Sequence, residues 1–147
     1  MTELDLLELA IGIAVEAHRG QKDRYGAPYI LHPLRIMARV ETTTEKTAAI
    51  LHDVVEDTNW TFDQLKKKGF PQPLLEALEC VTKREGEAYE DFVKRSASNP
   101  LATRVKLADL EDNMDIRRMP EITQKDQERL EKYLRAWRFL RGIAPQP

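Results

Sequence analysis

Apolar residues recur at steps of three and four positions along this sequence, the spacing that forms one face of an α-helix. The first such stripe contains Leu4, Leu7, Ile11 and Ala14, and His18 continues it. No segment shows the alternation of apolar and polar residues that is typical of a half-buried strand. The pattern therefore predicts an all-α fold.

Helix-capping residues divide the chain into short segments. Thr61 followed by Gln64 matches a capping box, in which each side chain bonds the backbone N–H of the other residue. Asn99 and Pro100 supply an N-cap and a proline at the first helical position. These signals predict about seven or eight helices, packed as a single compact domain over residues 1–147.

Composition narrows the class of protein. The formal net charge is -2, so no overall basic character indicates a nucleic acid or an anionic membrane as partner. The N-terminal segment carries acidic residues within its apolar run, and no apolar run approaches the length that spans a bilayer. The single cysteine, Cys80, excludes an intrachain disulfide and agrees with a reducing compartment. We therefore expect a cytoplasmic protein.

The segment ILHDVVEDT places four ionisable side chains in a short apolar run. A helix predicted from Glu45 to about Glu56 would put His52 and Asp53 side by side, with Glu56 and Asp57 one turn further on. Clustered carboxylates beside a histidine are costly to bury unless a positive charge offsets them. A divalent cation would supply that charge.

Two further residues occupy positions that favour a metal site. His32 lies at a loop-to-helix corner, and Asp109 lies on an otherwise apolar face of a helix predicted from Pro100 to Met119. Two imidazoles with two carboxylates suit Mn²⁺, Fe²⁺, Zn²⁺ or Co²⁺ better than Mg²⁺ or Ca²⁺. The predicted ligands are His32, His52, Asp53 and Asp109, with coordination positions left open for catalysis.

Simpler interpretations exist for each residue taken singly. His52 and Asp53 can form a pair on a helix surface, and His32 can cap the helix that follows it. Asp109 can form an ordinary ion pair with Lys106 on the adjoining turn. The metal site is favoured because one cation explains all of these placements together.

Three segments then resemble a known family. The sequence contains AHRGQ…GAPYILHPLRIMA, AAILHDVVEDT and VKLADLEDNM, in that order between Ala17 and Asn113. These three segments resemble the HD-domain hydrolases of the RelA/SpoT type, including the small stand-alone members. The resemblance implies an all-helical HD fold with one divalent metal, usually manganese. It also implies removal of pyrophosphate from the 3′ position of ppGpp and pppGpp, the alarmones of the stringent response.

The resemblance assigns roles to residues beyond the four ligands. Glu56 and Asp57 match the acidic pair that activates and positions the attacking water, and Asn113 matches an asparagine that binds substrate near the metal. Cationic and aromatic side chains near these motifs can offset phosphate charge or stack on a base. The predicted substrate-binding residues are Lys22, Arg24, Tyr25, Lys106 and Asn113.

Some positions depart from the family pattern. Asp23 stands where an arginine is expected, and Leu110 replaces a basic residue after the metal aspartate. Asp115 and Ile116 stand where basic and hydroxyl residues are common, and on a continuous helix Ile116 would share the face of Asp109. We expect Asp23 and Asp115 to oppose a heavily phosphorylated ligand if they face the pocket.

Two alternatives to ppGpp hydrolysis therefore stay open. The chain can be an HD phosphohydrolase that acts on another nucleotide or on a small phosphate ester, or a non-catalytic HD module that binds a nucleotide or a protein. The length of the sequence leaves no room for synthetase or regulatory domains, so we expect a free-standing hydrolase. The motifs do not predict the oligomeric state.

Overall fold

The computed structural model describes all 147 residues and confirms the predicted all-α fold. Helices form every regular element, apart from an isolated antiparallel bridge between Lys22 and Pro28 in the loop after the first helix. A single 3₁₀ turn, Ile116–Arg118, lies between the last two helices. The α-helices are α1 Glu3–Ala17, α2 Leu31–Arg39, α3 Thr43–Leu51, α4 Val54–Asp57, α5 Phe62–Lys67, α6 Gln72–Cys80, α7 Tyr89–Ala97, α8 Pro100–Asn113 and α9 Gln124–Leu140.

The predicted capping residues begin the helices as expected. The Thr61 hydroxyl accepts the Gln64 backbone N–H, and the Gln64 side chain accepts the Thr61 N–H, which completes a capping box at α5. The Asn99 side chain accepts the N–H of Ala102 at the start of α8, where Pro100 takes the first position. These side chains satisfy N–H groups that have no partner inside their own helix.

The helix predicted from residue 45 to 56 is interrupted. α3 ends at Leu51, His52 and Asp53 form a turn, and α4 begins at Val54. The carbonyl of Ala49 lies 3.4 Å from the backbone nitrogen of His52 and 2.8 Å from its Nδ1, so this turn is tighter than an α-helical one. The proposed metal doublet therefore lies at a break between two helices, and its geometry is not that of a continuous helix face.

The helix predicted to reach Met119 is also shorter than expected. α8 ends at Asn113, and the Asp115 carboxylate accepts the backbone N–H of Arg117 at 3.2 Å to begin the 3₁₀ turn. Ile116 consequently does not share the helix face of Asp109, and its side chain is 48% exposed. The expectation that Ile116 and Asp109 share a helix face is wrong, because Asp115 caps a new turn instead of continuing the helix.

Two apolar clusters hold the helices together. The larger joins the first six helices, α1 to α6, and α8, and the smaller contains Val93, Leu110 and Ala136 from α7, α8 and α9. Leu110 is completely buried in this smaller cluster, which explains its apolar character next to Asp109. None of the helices combines the length and the apolar character needed to cross a bilayer.

Candidate active site

A polar cleft of about 600 Å³ opens on the surface, within the size range of small-ligand sites. Its walls come from helices α2, α4, α7, α8 and α9, together with the loop after α1, the turn between α3 and α4, the loop between α6 and α7, and the segment between α8 and α9. His32, Asp53, Glu56, Asp57 and Asp109 all line this cleft. The fold thus collects the chemically unusual side chains, which are far apart in sequence, in one place.

Four nitrogen and oxygen atoms from the predicted ligands meet at the base of the cleft. Oδ1 of Asp109 lies 3.0 Å from Nε2 of His32 and 3.5 Å from Nε2 of His52. Oδ2 of Asp53 lies 2.9 Å from Nε2 of His52 and 3.8 Å from Nε2 of His32. All four side chains are at most 14% exposed, so water screens this cluster poorly.

The two imidazoles present the same nitrogen to the cluster because the other nitrogen is already bound. Nδ1 of His32 lies 2.7 Å from Oδ2 of Asp112, and Nδ1 of His52 lies 2.8 Å from the carbonyl oxygen of Ala49. Such contacts fix the ring orientation and leave Nε2 as the atom available to a metal. Sequence reasoning missed Asp112, although it lies three residues after Asp109.

The chemistry of these atoms fits a divalent cation. Nε2 of His52 is buried and faces two carboxylate oxygens, Oδ2 of Asp53 at 2.9 Å and Oδ1 of Asp109 at 3.5 Å. Burial alone would lower the pKa of His52, but the Asp53 and Asp109 carboxylates outweigh burial and raise the pKa well above its ordinary value. A site that stabilises positive charge on Nε2 will also stabilise a cation close to it. His32, His52, Asp53 and Asp109 are the residues that can hold such an ion.

Lys106 forms an ion pair with Asp109, as the simpler interpretation of Asp109 predicted. Its Nζ lies 3.0 Å from Oδ2 of Asp109 and 4.7 Å from the ring centre of Phe92. Burial would raise the pKa of Asp109, but Lys106 and the histidines hold it well below its usual range. The ion pair and the ligand cluster coexist because each uses a different oxygen of Asp109.

Glu56 and Asp57 form a second acidic group beside the first. Carboxylate oxygens of Asp53, Glu56 and Asp57 all lie within 4.8 Å of one another, so Asp53 belongs to both groups. Glu56 and Asp57 keep contact with solvent, yet the pKa of both carboxyl groups is raised. The main cause is the partial loss of hydration next to the surrounding protein, and the negative charge of Asp53 adds to it. Oε1 of Glu56 accepts the backbone N–H of Lys83 at 2.7 Å.

Tyr29 connects the two acidic groups and was not predicted from the sequence. Its hydroxyl donates to Oδ2 of Asp53 and lies 3.4 Å from Oδ2 of Asp57. Burial first, and the Asp53 charge second, raise the pKa of Tyr29, so the hydroxyl keeps its proton and remains a donor. The His18 ring packs 5.0 Å from the Tyr29 ring, and its Nδ1 lies 2.8 Å from Oε1 of Gln21. His18 therefore packs against Tyr29 and contacts Gln21 in the loop that follows α1.

The predicted substrate-binding residues all reach the cleft, and other basic and aromatic residues join them. The amide of Asn113 also donates to Oδ1 of Asp109 at 3.2 Å, next to the ligand cluster. The predicted residues that line the cleft are Lys22, Arg24, Tyr25, Lys106 and Asn113. Those that sequence reasoning missed include Arg35, Lys83, Tyr89, Arg118, Arg129, Lys132 and Tyr133.

The two unusual aspartates line the cleft, but each has partners of its own. Oδ1 of Asp23 accepts the backbone N–H groups of Tyr25 at 2.9 Å and Ala27 at 3.0 Å, which holds the loop in its turn. The Asp115 carboxylate receives two bonds from the Arg117 guanidinium, at 2.9 and 2.8 Å. Arg117 therefore offsets the repulsion of phosphate expected from Asp115, whereas Asp23 has only backbone donors.

No protein-family model matches the chain, but comparisons with individual proteins find relatives. The chain is 32% identical over 120 residues to a guanosine-3′,5′-bis(diphosphate) 3′-pyrophosphohydrolase of Aquifex aeolicus, and 38% identical over 117 residues to a protein of the same name from Haemophilus influenzae. These alignments cover 74% and 69% of the chain. They span only 17% of the length of each relative.

The fold has a solved counterpart. A metazoan ortholog of SpoT, described as hydrolysing ppGpp, superposes with a TM-score of 0.74 at 25% sequence identity. The match covers 96% of this chain and 88% of the metazoan protein, so it includes nearly all of the helices described above. Sequence and fold together show that the chain belongs to the HD-domain family of the RelA/SpoT hydrolase type.

Proposed function

We propose that the chain is a divalent-metal-dependent phosphohydrolase that releases pyrophosphate from the 3′ position of ppGpp. The observation that carries the proposal is the meeting of His32, His52, Asp53 and Asp109 beside a second acidic group, at the base of a cleft with basic walls. Relatives named for this reaction support the choice of substrate. Because the chain spans a small part of those relatives, the activity is a proposal for this chain.

The residues of the chain suit hydrolysis at a phosphorus atom. A divalent ion held by the four ligands would supply Lewis acidity toward a phosphoryl oxygen and would acidify water. Glu56, poised beside Asp53, takes the proton as the water oxygen bonds to phosphorus, and Asp57 helps to orient that water. The bond between phosphorus and the ribose 3′ oxygen then breaks, and a proton completes the 3′ hydroxyl.

The basic and amide side chains of the cleft have a binding role in the same proposal. Lys22 and Arg24 offset phosphate charge, and Lys106 adds positive charge from beneath Asp109. Tyr25 or Arg24 stacks on the base, while Asn113 binds substrate near the ligand cluster. A small phosphorylated nucleotide is the partner that these groups suit, and we propose neither a nucleic acid nor a membrane as partner.

Manganese is the proposed metal. Two imidazole nitrogens with two carboxylate oxygens suit Mn²⁺, whereas Fe²⁺, Zn²⁺ and Co²⁺ accept similar donors. Purified protein should contain a divalent metal or gain thermal stability when Mn²⁺ is added. Metal analysis with melting curves in the presence of each ion measures this. If no ion binds or stabilises the protein, the non-catalytic HD module replaces the enzyme in the proposal.

A substrate panel tests the reaction. The protein loaded with Mn²⁺ is incubated with ppGpp, pppGpp, NADPH and nucleoside phosphates, and released pyrophosphate and phosphate are quantified. We expect pyrophosphate from ppGpp and pppGpp. Turnover of another compound without pyrophosphate release from ppGpp would favour the related phosphohydrolase. Asp23, which lines the cleft where the family has an arginine, is the residue that suggests this alternative.

A cytoplasmic location, which the single cysteine favours, completes the proposal.

A further inference from the structure

Arg95 of α7 binds the end of α6 and the loop between α6 and α7 through its whole guanidinium group. Nε and Nη2 donate to the two carboxylate oxygens of Glu87, each at 2.8 Å, in a paired geometry that fixes both side chains. Nη2 also donates to the carbonyl of Thr82 at 2.7 Å, and Nη1 donates to the carbonyl of Glu79 at 2.6 Å. Arg95 and Glu87 are only 16% and 11% exposed, so these bonds are largely shielded from water.

The bond to Thr82 reaches the active site through a single peptide group. The Thr82 carbonyl and the Lys83 N–H belong to the same planar unit and lie at its opposite edges. Arg95 binds the oxygen of that unit, and the Lys83 N–H donates to Oε1 of Glu56 at 2.7 Å. Fixing the oxygen of a rigid plane also fixes the direction of its N–H, and a charged donor at the oxygen polarises the N–H.

We infer that Arg95 is a positioning residue for Glu56, acting through the Thr82–Lys83 peptide. The inference rests on the proposed function, in which Glu56 accepts a proton from water. Apart from the bond to Lys83, the Glu56 carboxylate makes no hydrogen bond and no ion pair, so this peptide N–H is what holds its orientation. A general base must keep its geometry to within a fraction of an ångström to be effective.

The loop needs such an anchor because its own bonds are few. Gly86 turns the chain with a φ of 74°, and Glu87 accepts the backbone N–H of Arg84 at 3.1 Å. Residues 81–88 contain no regular helix. Arg95 therefore links this loop to α7, which packs against α8, the helix that carries Asp109.

The first test compares two arginine variants. Arg95→Met removes the anchor, and Arg104→Met is the matched control, because Arg104 pairs with Glu45 at 3.0 Å and does not line the cleft. With ppGpp and Mn²⁺ we expect Arg95→Met to lower kcat about ten- to a hundredfold. KM and Mn²⁺ affinity should change little, and Arg104→Met should leave kcat unaltered. If Arg95→Met is unstable, Arg95→Lys and Glu87→Gln serve instead, and each should lower kcat by a smaller factor.

A double variant separates positioning from general loss of structure. In a Glu56→Gln background the route through Glu56 is already lost, so adding Arg95→Met should cause little further loss of residual activity. Hydrogen exchange of the Lys83 amide should speed up in Arg95→Met and not in Arg104→Met. Full kcat in Arg95→Met, Arg95→Lys and Glu87→Gln would overturn the inference. It would also be overturned if Arg95→Met lowered the activity by the same factor in the Glu56→Gln background as in the wild type. If Glu56→Gln itself keeps full kcat, the proposed role of Glu56 fails instead.

Discussion

Oδ2 of Asp112 lies 2.7 Å from Nδ1 of His32, on the side of the ring away from the ligand cluster. Asp112 is completely buried, and the same carboxylate accepts bonds from Arg35 at 2.8 and 3.1 Å. Burial would raise the pKa of Asp112, but His32 and Arg35 lower it to about 2. A charged carboxylate therefore orients His32 and would make its Nε2 a better donor to a metal.

Asp112→Asn should weaken metal binding without removing a ligand. The amide keeps the shape of the side chain but loses the charge that orients and polarises His32. Loss of such a partner typically lowers metal affinity about 10- to 100-fold. Titration calorimetry with Mn²⁺ measures the change, and Glu111→Gln on the same helix is the control. Equal affinity in both variants would contradict a role of Asp112 in orienting His32.

Tyr29→Phe should lower turnover more than it lowers metal affinity. The variant keeps the ring that packs against His18 but removes the hydroxyl that donates to Asp53 and approaches Asp57. A hydrogen bond to a charged group contributes about 1.5–3 kcal/mol, so we expect kcat to fall about tenfold or more. Steady-state kinetics and Mn²⁺ titration on the same preparation measure the two effects. An unchanged kcat would exclude Tyr29 as a support of the acidic groups.

Ligand and base roles should separate in two variants. Asp53→Ala removes an oxygen that lies 2.9 Å from His52 Nε2, so it should abolish tight Mn²⁺ binding together with turnover. Glu56→Gln should retain Mn²⁺, because Glu56 is not a proposed ligand and the amide oxygen can still accept the Lys83 N–H and keep the side chain in place. The variant should lose turnover, because an amide cannot accept the proton from water. Metal analysis and kinetics of both proteins test this. Similar metal loss in both variants would show that Glu56 is a ligand.

Much of this site was predictable from residue types at regular spacing. The four proposed ligands stand out because charged side chains in apolar segments need a shared explanation, and the resemblance to the family adds the roles proposed for Glu56 and Asp57. The structure brings the four proposed ligands together, although its break between α3 and α4 replaces the predicted continuous helix. At the break, the His52 side chain contacts the Ala49 carbonyl. Helical periodicity cannot reveal such a break, because it reports only the spacing of apolar residues and not the hydrogen bonds of individual side chains.

The residues that escaped prediction act through contacts between distant parts of the chain. Asp112 lies 80 positions from His32, and Tyr29 lies 24 positions from Asp53. Neither pair leaves a local pattern in one sequence. The overestimated length of α8 has a local cause, since the Asp115 cap competes with helix continuation and periodicity alone does not weigh it. Tertiary packing thus decided what the sequence pattern left open.

Glu56→Gln should also stabilise the metal-free protein at neutral pH. The surrounding protein and Asp53 raise the pKa of Glu56, so the folded state binds a proton more readily than the unfolded state does. The charged carboxylate therefore costs stability above its folded pKa, and that cost disappears as the pH falls through it. Melting temperatures of both metal-free proteins should differ most near neutral pH and converge in acid. A difference that does not vary with pH would contradict the raised pKa.

Glu87→Gln should show the opposite dependence. Its bonds with Arg95 lower the pKa of Glu87 from 4.5 to about 2, so the folded state favours the ionised carboxylate. The stabilisation is fully present above the unfolded value of 4.5 and is lost as the pH falls toward 2. Unfolding by urea at a series of pH values should show wild type more stable than Glu87→Gln near neutrality. The difference should shrink as the pH falls from 4.5 toward 2, because the unfolded wild type binds a proton first, and it should vanish once folded Glu87 is protonated as well. A constant difference across that range would mean that the Arg95–Glu87 pair does not stabilise the loop through charge.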